Sequence, residues 1–233
     1  MWTVLDPLLM TLIYFFVFSV IFKRGQNSPE SPYIVFLAFG QAAWGWFSGA
    51  VNDSAARWCR RRRLVRSTRL PREIWVLKVV GSKGIEYVLS LPVIVLFLVT
   101  SQTAPSWRHL LFFPLGLLIQ SVLLVGLGLM LSAVTVLVTD LARVVRIVLR
   151  MLFYATPILY SIQSLDGRPN LQRLFDLNPM TGILDLYRAS VYPDQMAGAG
   201  TVALSAGISV AILFLGAWVF RRLESPVLKE PVT

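Results

Sequence analysis

The sequence is poor in the residues from which disulfides, metal sites and catalytic centres are built. It contains one cysteine, Cys59, and one histidine, His109. A single cysteine excludes an internal disulfide, and the two residues together are too few for a cysteine-rich or histidine-rich metal site. The Gly-x-x-x-x-Gly-Lys-Ser/Thr loop that cradles nucleotide phosphates is also missing. We therefore predict a chain that is not an enzyme and that carries no cofactor or metal ion.

Charged residues are scarce as well, at 15% of the chain against about 25% in a typical soluble domain. Apolar runs at 74–100, 110–138 and 201–220 are each long enough to cross a hydrocarbon core of ~30 Å. Within lipid every backbone N–H and C=O group needs an internal partner, so these runs must be helices. The sequence predicts an all-α membrane protein with a single transmembrane domain over 1–233. Its six predicted transmembrane helices are at about 3–22, 33–51, 74–100, 108–136, 143–162 and 201–220.

The net charge of +10 raises the possibility of nucleic-acid binding. However, most of the 22 Lys and Arg residues fall in the 52–78 region, the 137–150 connection and the C-terminal tail. These segments share one side of the predicted membrane topology, and by the positive-inside rule that side is cytoplasmic. We therefore predict a multi-pass protein of the inner (plasma) membrane, with both termini cytoplasmic and no nucleic-acid partner. We expect no cleavable signal peptide, because the first span lacks a basic region before it.

The predicted cytoplasmic loop 52–73 has an arginine at every third position from Arg60 to Arg72, with apolar residues between them. One interpretation is a solvated loop that only sets the orientation of the chain. The other is a docking element for a cytoplasmic partner, whose shape Pro71 would set. The docking hypothesis assigns a coupling role to Leu64, Val65, Arg66, Arg69, Leu70, Pro71, Arg72 and Glu73.

The predicted fifth span carries Arg143, Arg146 and Arg150 on one helical face. These arginines either anchor the helix among lipid headgroups or attract the phosphates of a substrate at the cytoplasmic mouth, a task that suits a guanidinium group. Arg150 lies deepest and is the costliest to keep in lipid. Further along, Pro157 lacks a backbone N–H and is expected to kink the helix.

The segment 163–200 is too apolar for a soluble loop, yet neither of its helical pieces, 171–177 and 181–192, is long enough to span a bilayer. The pair Asn178-Pro179 separates the two pieces. We predict two short re-entrant helices on the external side and regard them as a candidate gate. Its residues are Leu177, Asn178, Pro179, Thr181, Gly182, Tyr187 and Arg188.

Other residues admit two interpretations each. Lys83 and Glu86, at i and i+3 within a span, either form a mutual pair that eases insertion or contact a substrate. Gly45 and Gly49 form a small-xxx-small pair that favours close helix approach. Five aromatic residues either stack on sugars in a pore or belong to an interfacial belt. They are Trp44, Trp46, Phe47, Tyr154 and Tyr160.

The order of motifs along nearly the whole chain resembles the permease subunit of ABC-2 type polysaccharide exporters, the group that exports O-antigen, teichoic acid or galactan. Two departures are that Leu70 replaces a common aromatic residue, and that the sequence begins where the family's first cytoplasmic helix would end. The matching motifs are Asp6-Pro7-Leu8-Leu9-Met10, Leu64-Val65-Arg66 with Leu70-Pro71-Arg72-Glu73-Ile74, Thr139-Asp140-Leu141, Thr156-Pro157-Ile158-Leu159-Tyr160 and Leu177-Asn178-Pro179.

This resemblance implies a homodimer of this subunit that works with two copies of a separate ABC ATPase subunit, which binds the ATP and magnesium. The implied substrate is a lipid-linked polysaccharide, and membrane lipid surrounds the complex. An ABC-2 exporter of a smaller lipid or drug is the alternative from the same class. A lipid-modifying membrane enzyme is disfavoured, because Asp6, Lys83 and Glu86 are far from any histidine or nucleophile in the sequence. A non-catalytic scaffold is a further alternative, and the choice among polysaccharides stays open.

Overall fold

A computed structural model describes residues 2–21, 32–60, 73–103, 106–107, 109–138, 140–161, 169–189, 191–192 and 198–227. All regular secondary structure within these ranges is helical, which confirms the predicted all-α class. The helices are α1 (Trp2–Phe15, continued by a π-helical stretch Phe16–Ile21), α2 (Tyr33–Arg60), α3 (Glu73–Thr100), α4 (His109–Leu137), α5 (Leu141–Ala155), α6 (Pro169–Asp176), α7 (Pro179–Arg188) and α8 (Ala199–Val227).

Four helices in the described ranges are long and apolar enough to cross a membrane. Their qualifying segments are Tyr33–Ala56, Glu73–Thr100, Leu111–Thr135 and Ala199–Leu223. The apolar segment of α1, Leu8–Ser19, is shorter, and α5 has 15 residues where a span needs about 20. The chain is therefore a membrane protein with several spanning helices, and the spanning of α1 and α5 remains a prediction.

Helix α2 lies at the centre of the bundle. It packs against α1, α3, α4, α5 and α7, and 72% of its membrane segment is buried inside the protein, against 17% for α8. The helix also continues well past residue 51, so residues 52–60 are helical and not part of a loop as the sequence analysis assigned them. In the same way α8 extends to Val227, beyond the predicted end at 220.

The largest helix–helix contact joins α4 and α8, where two glycines let the backbones touch. A Cβ atom at Gly126 would lie 2.6 Å from the backbone nitrogen of Leu213, and one at Gly216 would collide with the carbonyl oxygen of Gly126. Small residues permit this approach between membrane helices. The sequence analysis chose a different pair. A Cβ atom at Gly49 would lie 3.2 Å from Cδ of Lys83 on α3, and one at Gly45 would meet no described atom of this chain within 4 Å.

The fifth predicted span is broken at Pro157 instead of kinked. Helix α5 ends at Ala155, and Thr156 has an extended backbone (φ −103°, ψ 140°). A proline disfavours the helical conformation of the residue before it and has no N–H to continue the ladder. Thr156, Ile158, Leu159 and Ser161 are nevertheless buried. The helix thus gives way to a buried, non-helical segment, 156–161, which we call the α5 break.

Candidate functional site

The three arginines of α5 lie beside the stripe of the helix that packs on the bundle. Helix α5 buries that stripe, formed by Val145, Leu149 and Phe153. Arg143, Arg146 and Arg150 are exposed on its flank, and the side chain of Arg143 lies 3.6 Å from the carboxylate of Asp140. Arg143 and Arg150 are separated by about 10 Å of helix rise. The predicted arginine face therefore exists and is accessible in a single chain.

The predicted pore aromatics fall into two groups. Trp44, Trp46 and Phe47 are buried within the chain. Tyr154, one helical turn beyond Arg150, is 66% exposed. Tyr160 is half-buried and donates a hydrogen bond of 2.9 Å to the carbonyl oxygen of Tyr154. In a single chain, only Tyr154 continues the exposed arginine face.

A buried arginine at the end of α7 binds the α5 break. The guanidinium group of Arg188 donates to the carbonyl oxygens of Pro157 at 2.8 Å and Ile158 at 2.9 Å. It also donates to the carbonyl oxygen of Phe36 in α2 at 3.2 Å and lies 3.5 Å from the centroid of the Phe36 ring. Breaking a helix inside an apolar bundle leaves carbonyl groups without partners, which is costly. Arg188 supplies those partners.

The other end of α7 binds the same break. The side chain of Asn178 caps α7 by accepting a hydrogen bond of 3.0 Å from the backbone of Met180. Its amide nitrogen donates to the hydroxyl of Thr156 at 2.9 Å. Asn178 is therefore an N-cap of the kind helices favour and also a link to α5. The two ends of α7 hold the segment that follows the arginine helix.

Tyr187 links α7 to two spanning helices. Its hydroxyl donates to the side-chain oxygen of Gln120 in α4 at 2.7 Å, and the Gln120 amide donates to the carbonyl oxygen of Ala43 in α2 at 2.9 Å. The Tyr187 ring lies close to Gly116, where a Cβ atom would be 2.9 Å from the ring. The sequence analysis did not identify Gln120, although a single amide side chain within a long apolar run predicts a buried hydrogen bond between helices.

The rest of the predicted gate is mostly buried. Thr181 donates to the carbonyl oxygen of Phe175 at 2.8 Å, and Gly182 faces Ser205 of α8, whose hydroxyl would be 2.5 Å from an added Cβ atom. Pro179 occupies the first turn of α7, and Leu177 between the short helices is exposed. The structure thus brings the predicted gate residues together on a short helix enclosed by α2, α4 and α8. Their role as a gate stays a prediction.

A family model described as an ABC-2 type transporter matches residues 1–192. The chain belongs to the ABC-2 transporter family. The chain is 31% identical over 226 residues to the O-antigen export system permease protein RfbA of Myxococcus xanthus, covering 96% of this chain and 85% of that protein. It is 28% identical over 188 residues to the RfbA protein of Klebsiella pneumoniae, covering 81% and 70% of the two chains. The resemblance found in the sequence is therefore confirmed.

In this ABC-2 permease the predicted coupling residues lie almost wholly outside the described residues. Leu64, Val65, Arg66, Arg69, Leu70, Pro71 and Arg72 are among those outside. Glu73 is the first residue of α3, where a carboxylate suits the positive end of a helix. The docking hypothesis therefore remains a prediction.

Two further predictions concern charged and metal-binding groups of the permease. The Nζ atom of Lys83 donates a hydrogen bond of 2.7 Å to the Glu86 carboxylate, so the predicted pair forms. Sequence reasoning missed Asp53, whose carboxylate lies 3.9 Å from the same nitrogen. In the part of the chain that the structure describes, no group of three or more His, Cys, Asp or Glu residues is placed to hold a metal ion.

Proposed function

We propose that this chain is the permease subunit of an ATP-driven ABC exporter that moves a lipid-linked cell-envelope polysaccharide from the cytoplasm to the outer face of the inner membrane. The observation that carries the proposal is the 31% identity over 96% of the chain to a protein named as an O-antigen export permease. The name supports a polysaccharide over the smaller lipid or drug of the alternative. The proposed substrate class includes O-antigen, teichoic acid and galactan.

The proposed topology has six spans with both termini in the cytoplasm. The first span is α1 with its π-helical continuation, and the fifth is α5 with the α5 break. Helices α6 and α7 are then re-entrant helices on the external side. Two observations support this topology: α7 has only 10 residues yet is enclosed by three spanning helices, and Arg188 has neutral carbonyl partners that allow burial.

The proposed assembly is a homodimer of this subunit with two copies of an ABC ATPase subunit, which bind the ATP and magnesium. Six spans are few for a conduit that passes a sugar polymer, so a path between two symmetric copies is the simplest arrangement. We assign docking of the ATPase to the loop at 64–73. In this scheme the subunit itself is non-catalytic.

The proposed path follows the exposed side of α5. Arg143, Arg146 and Arg150 meet the pyrophosphate of the substrate at the cytoplasmic mouth, and Tyr154 offers a ring to the sugars beyond it. Arginine suits phosphate, and its charge is least costly where a path admits water. The buried residues Trp44, Trp46 and Phe47 line the path only if neighbouring helices separate from α2 during transport.

Reconstitution tests the proposal. The subunit would be purified with its ATPase and placed in liposomes that contain a polyprenyl-pyrophosphate glycan, the same lipid without the glycan, or a hydrophobic drug. We expect ATP-dependent translocation of the glycan-bearing lipid alone. Equal translocation of the glycan-free lipid or of the drug would support the alternative exporter, and the absence of ATP-dependent translocation of any of the three would contradict both.

A further inference from the structure

Helices α2 and α3 interlock through two large side chains that cross the interface in opposite directions. The ring of Trp46 from α2 lies on Gly84 of α3, where a Cβ atom would be 3.2 Å from the ring. The aliphatic stem of Lys83 from α3 lies on Gly49 of α2, where a Cβ atom would be 3.2 Å from Cδ. The indole nitrogen of Trp46 also donates to the carbonyl oxygen of Val80 at 3.2 Å.

Charges accompany this contact. The Lys83 ammonium group is hydrogen-bonded to Glu86 on its own helix at 2.7 Å and lies 3.9 Å from the carboxylate of Asp53 on α2. We call these three residues the Lys83 triad. All three side chains are partly buried, so water screens their interactions less than it would on a surface. The triad therefore joins two helices by charge as well as by packing.

The triad lies within the apolar segments of both helices. Lys83 and Glu86 fall in Glu73–Thr100 of α3 and Asp53 falls in Tyr33–Ala56 of α2, with Lys83 about 15 Å of helix rise from the first residue of α3. Charged side chains within membrane spans are costly and are by default candidates for function. An apolar residue of similar size would pack against Gly49 without that cost. The packing alone does not account for the charges.

We propose that Lys83 is a positioning residue that locks α2 and α3 into one rigid hairpin, so that force applied to residues 61–72, which lie between the two helices in the sequence, reaches the core of the permease. This inference rests on the proposed function, because residues 61–72 include most of those assigned to ATPase docking. Without this link, a force on those residues would be lost as sliding between the two helices.

Helix α2 can pass this motion on. Its backbone carbonyl groups accept hydrogen bonds from Arg188 at Phe36 and from Gln120 at Ala43. Gln120 in turn binds Tyr187, so both contacts lead to α7. The α2–α3 hairpin thus contacts the candidate gate on α7 through Phe36 and Ala43 of α2. The Lys83 triad lies further along the same helix, at Asp53.

The test measures the distance between labels on α2 and α3 and the amount of substrate exported per ATP hydrolysed. Spin labels at Ala56 and Leu77, both exposed and near the inner ends of α2 and α3, would be introduced into a Cys59→Ser background. Double electron–electron resonance would compare the reconstituted complex without nucleotide and with ATP trapped. Labelled subunits would be diluted with unlabelled ones, so that the distance within one subunit of the proposed homodimer is read, and we expect that distance to be unchanged in the unsubstituted hairpin. In Lys83→Met we expect a broadened or shifted distance and about a fivefold loss of substrate exported per ATP hydrolysed.

Matched variants separate positioning from folding. Asp53→Asn should act in the same direction, Lys83→Arg should restore much of the ratio, and Asp53→Asn with Lys83→Met should be little worse than Lys83→Met alone. Gly81→Ala is the control on the same helix, because nothing described lies within 4 Å of an added Cβ atom there. A merely structural role would lower the amount of folded complex without changing export per ATP.

Two outcomes overturn the inference. One is an unchanged ratio and distance in both Lys83→Met and Asp53→Asn. The other is a distance that changes with nucleotide while the triad is intact, since the hairpin would then not be rigid. Failure of the proposed function is a separate result, namely a complex that hydrolyses ATP but translocates no glycan-bearing lipid. The distance measurement does not depend on that substrate.

Discussion

The guanidinium group of Arg188 lies beside Gly40 in the space that any larger side chain would fill. A Cβ atom at Gly40 would collide with Nη2 of Arg188 and would lie 3.0 Å from the carbonyl oxygen of Ile158. The glycine is therefore part of the site that accepts the arginine, together with the carbonyl groups of Pro157 and Ile158 in the α5 break. Helix α2, the α5 break and α7 meet at this one point.

Replacing Gly40 tests that contact with a single methyl group. Gly40→Ala should lower the free energy of unfolding by about 1–3 kcal/mol, because the guanidinium is held by three carbonyl groups and cannot move aside freely. Thermal unfolding in detergent would measure the change. Gly45→Ala on the same helix has open space and should be neutral or slightly stabilising. Equal stability of the two variants would contradict this account of the site.

Replacing Arg188 tests its role as partner to the α5 break. Arg188→Met leaves three carbonyl groups without this donor and should destabilise the permease by at least about 3 kcal/mol. Arg188→Lys should be only slightly better, because an ammonium group lacks the planar fork that binds the carbonyl groups of Pro157 and Ile158 together. Chemical denaturation in micelles would rank the variants. A fully stable Arg188→Lys variant would show that charge alone is enough.

Tyr187 and Gln120 offer a double-mutant cycle across the α7–α4 contact. Tyr187→Phe removes the donor to Gln120 and should cost about 1 kcal/mol, in the range measured for hydrogen bonds between membrane helices. Gln120→Leu should cost less in the Tyr187→Phe background than in the unsubstituted chain, because the shared bond is already gone and only the bond to Ala43 is left to lose. Tyr154→Phe is the exposed control and should be neutral. Additive losses would mean that the two residues are not coupled.

The close contact between α4 and α8 predicts that glycine substitutions there lower the stability of the permease. Gly126→Ala and Gly216→Ala should each destabilise by about 3 kcal/mol or more, because the added methyl group meets backbone atoms that cannot rotate away. Gly207→Ala on α8 is the matched control, as nothing described lies within 4 Å of that position. Unfolding of the three variants in the same detergent would decide. A loss of stability of similar size in Gly207→Ala would mean that the losses come from replacing a helical glycine and not from the contact between α4 and α8.

The positions of the spanning helices could be predicted because bilayer thickness and backbone hydrogen bonding dictate them from local sequence. The arginine face of α5 followed from helical period for the same reason. The role of Arg188 could not be predicted, since its partner Pro157 is 31 positions away and the relation exists only after the helices pack. Asp53 was missed for the same reason, because its carboxylate approaches Lys83 only once α2 and α3 have packed against each other. Pro157 was recognised as a disturbance, but whether a proline kinks or ends a helix depends on partners elsewhere in the fold.

Arg150 separates the two interpretations of the arginine face. If the face binds the pyrophosphate of the substrate, Arg150→Ala should weaken binding of a polyprenyl-pyrophosphate glycan about tenfold, in line with the loss of a hydrogen bond to a charged group. Binding would be measured by stimulation of the partner ATPase across substrate concentrations. Arg143→Ala should have a smaller effect, because the nearby carboxylate of Asp140 already offsets the charge of Arg143. Arg150→Lys should fall between Arg150→Ala and the unsubstituted chain.

The alternative is that Arg150 only anchors α5 among lipid headgroups. In that case Arg150→Ala would leave the concentration dependence unchanged, and the variant would differ only in bilayers of altered anionic lipid content, where headgroup attraction contributes about 1 kcal/mol per basic residue. Measuring the same titration in neutral and in anionic liposomes separates the two. A tenfold shift in both lipids supports substrate binding, because a specific phosphate contact does not depend on the surface charge of the membrane around it.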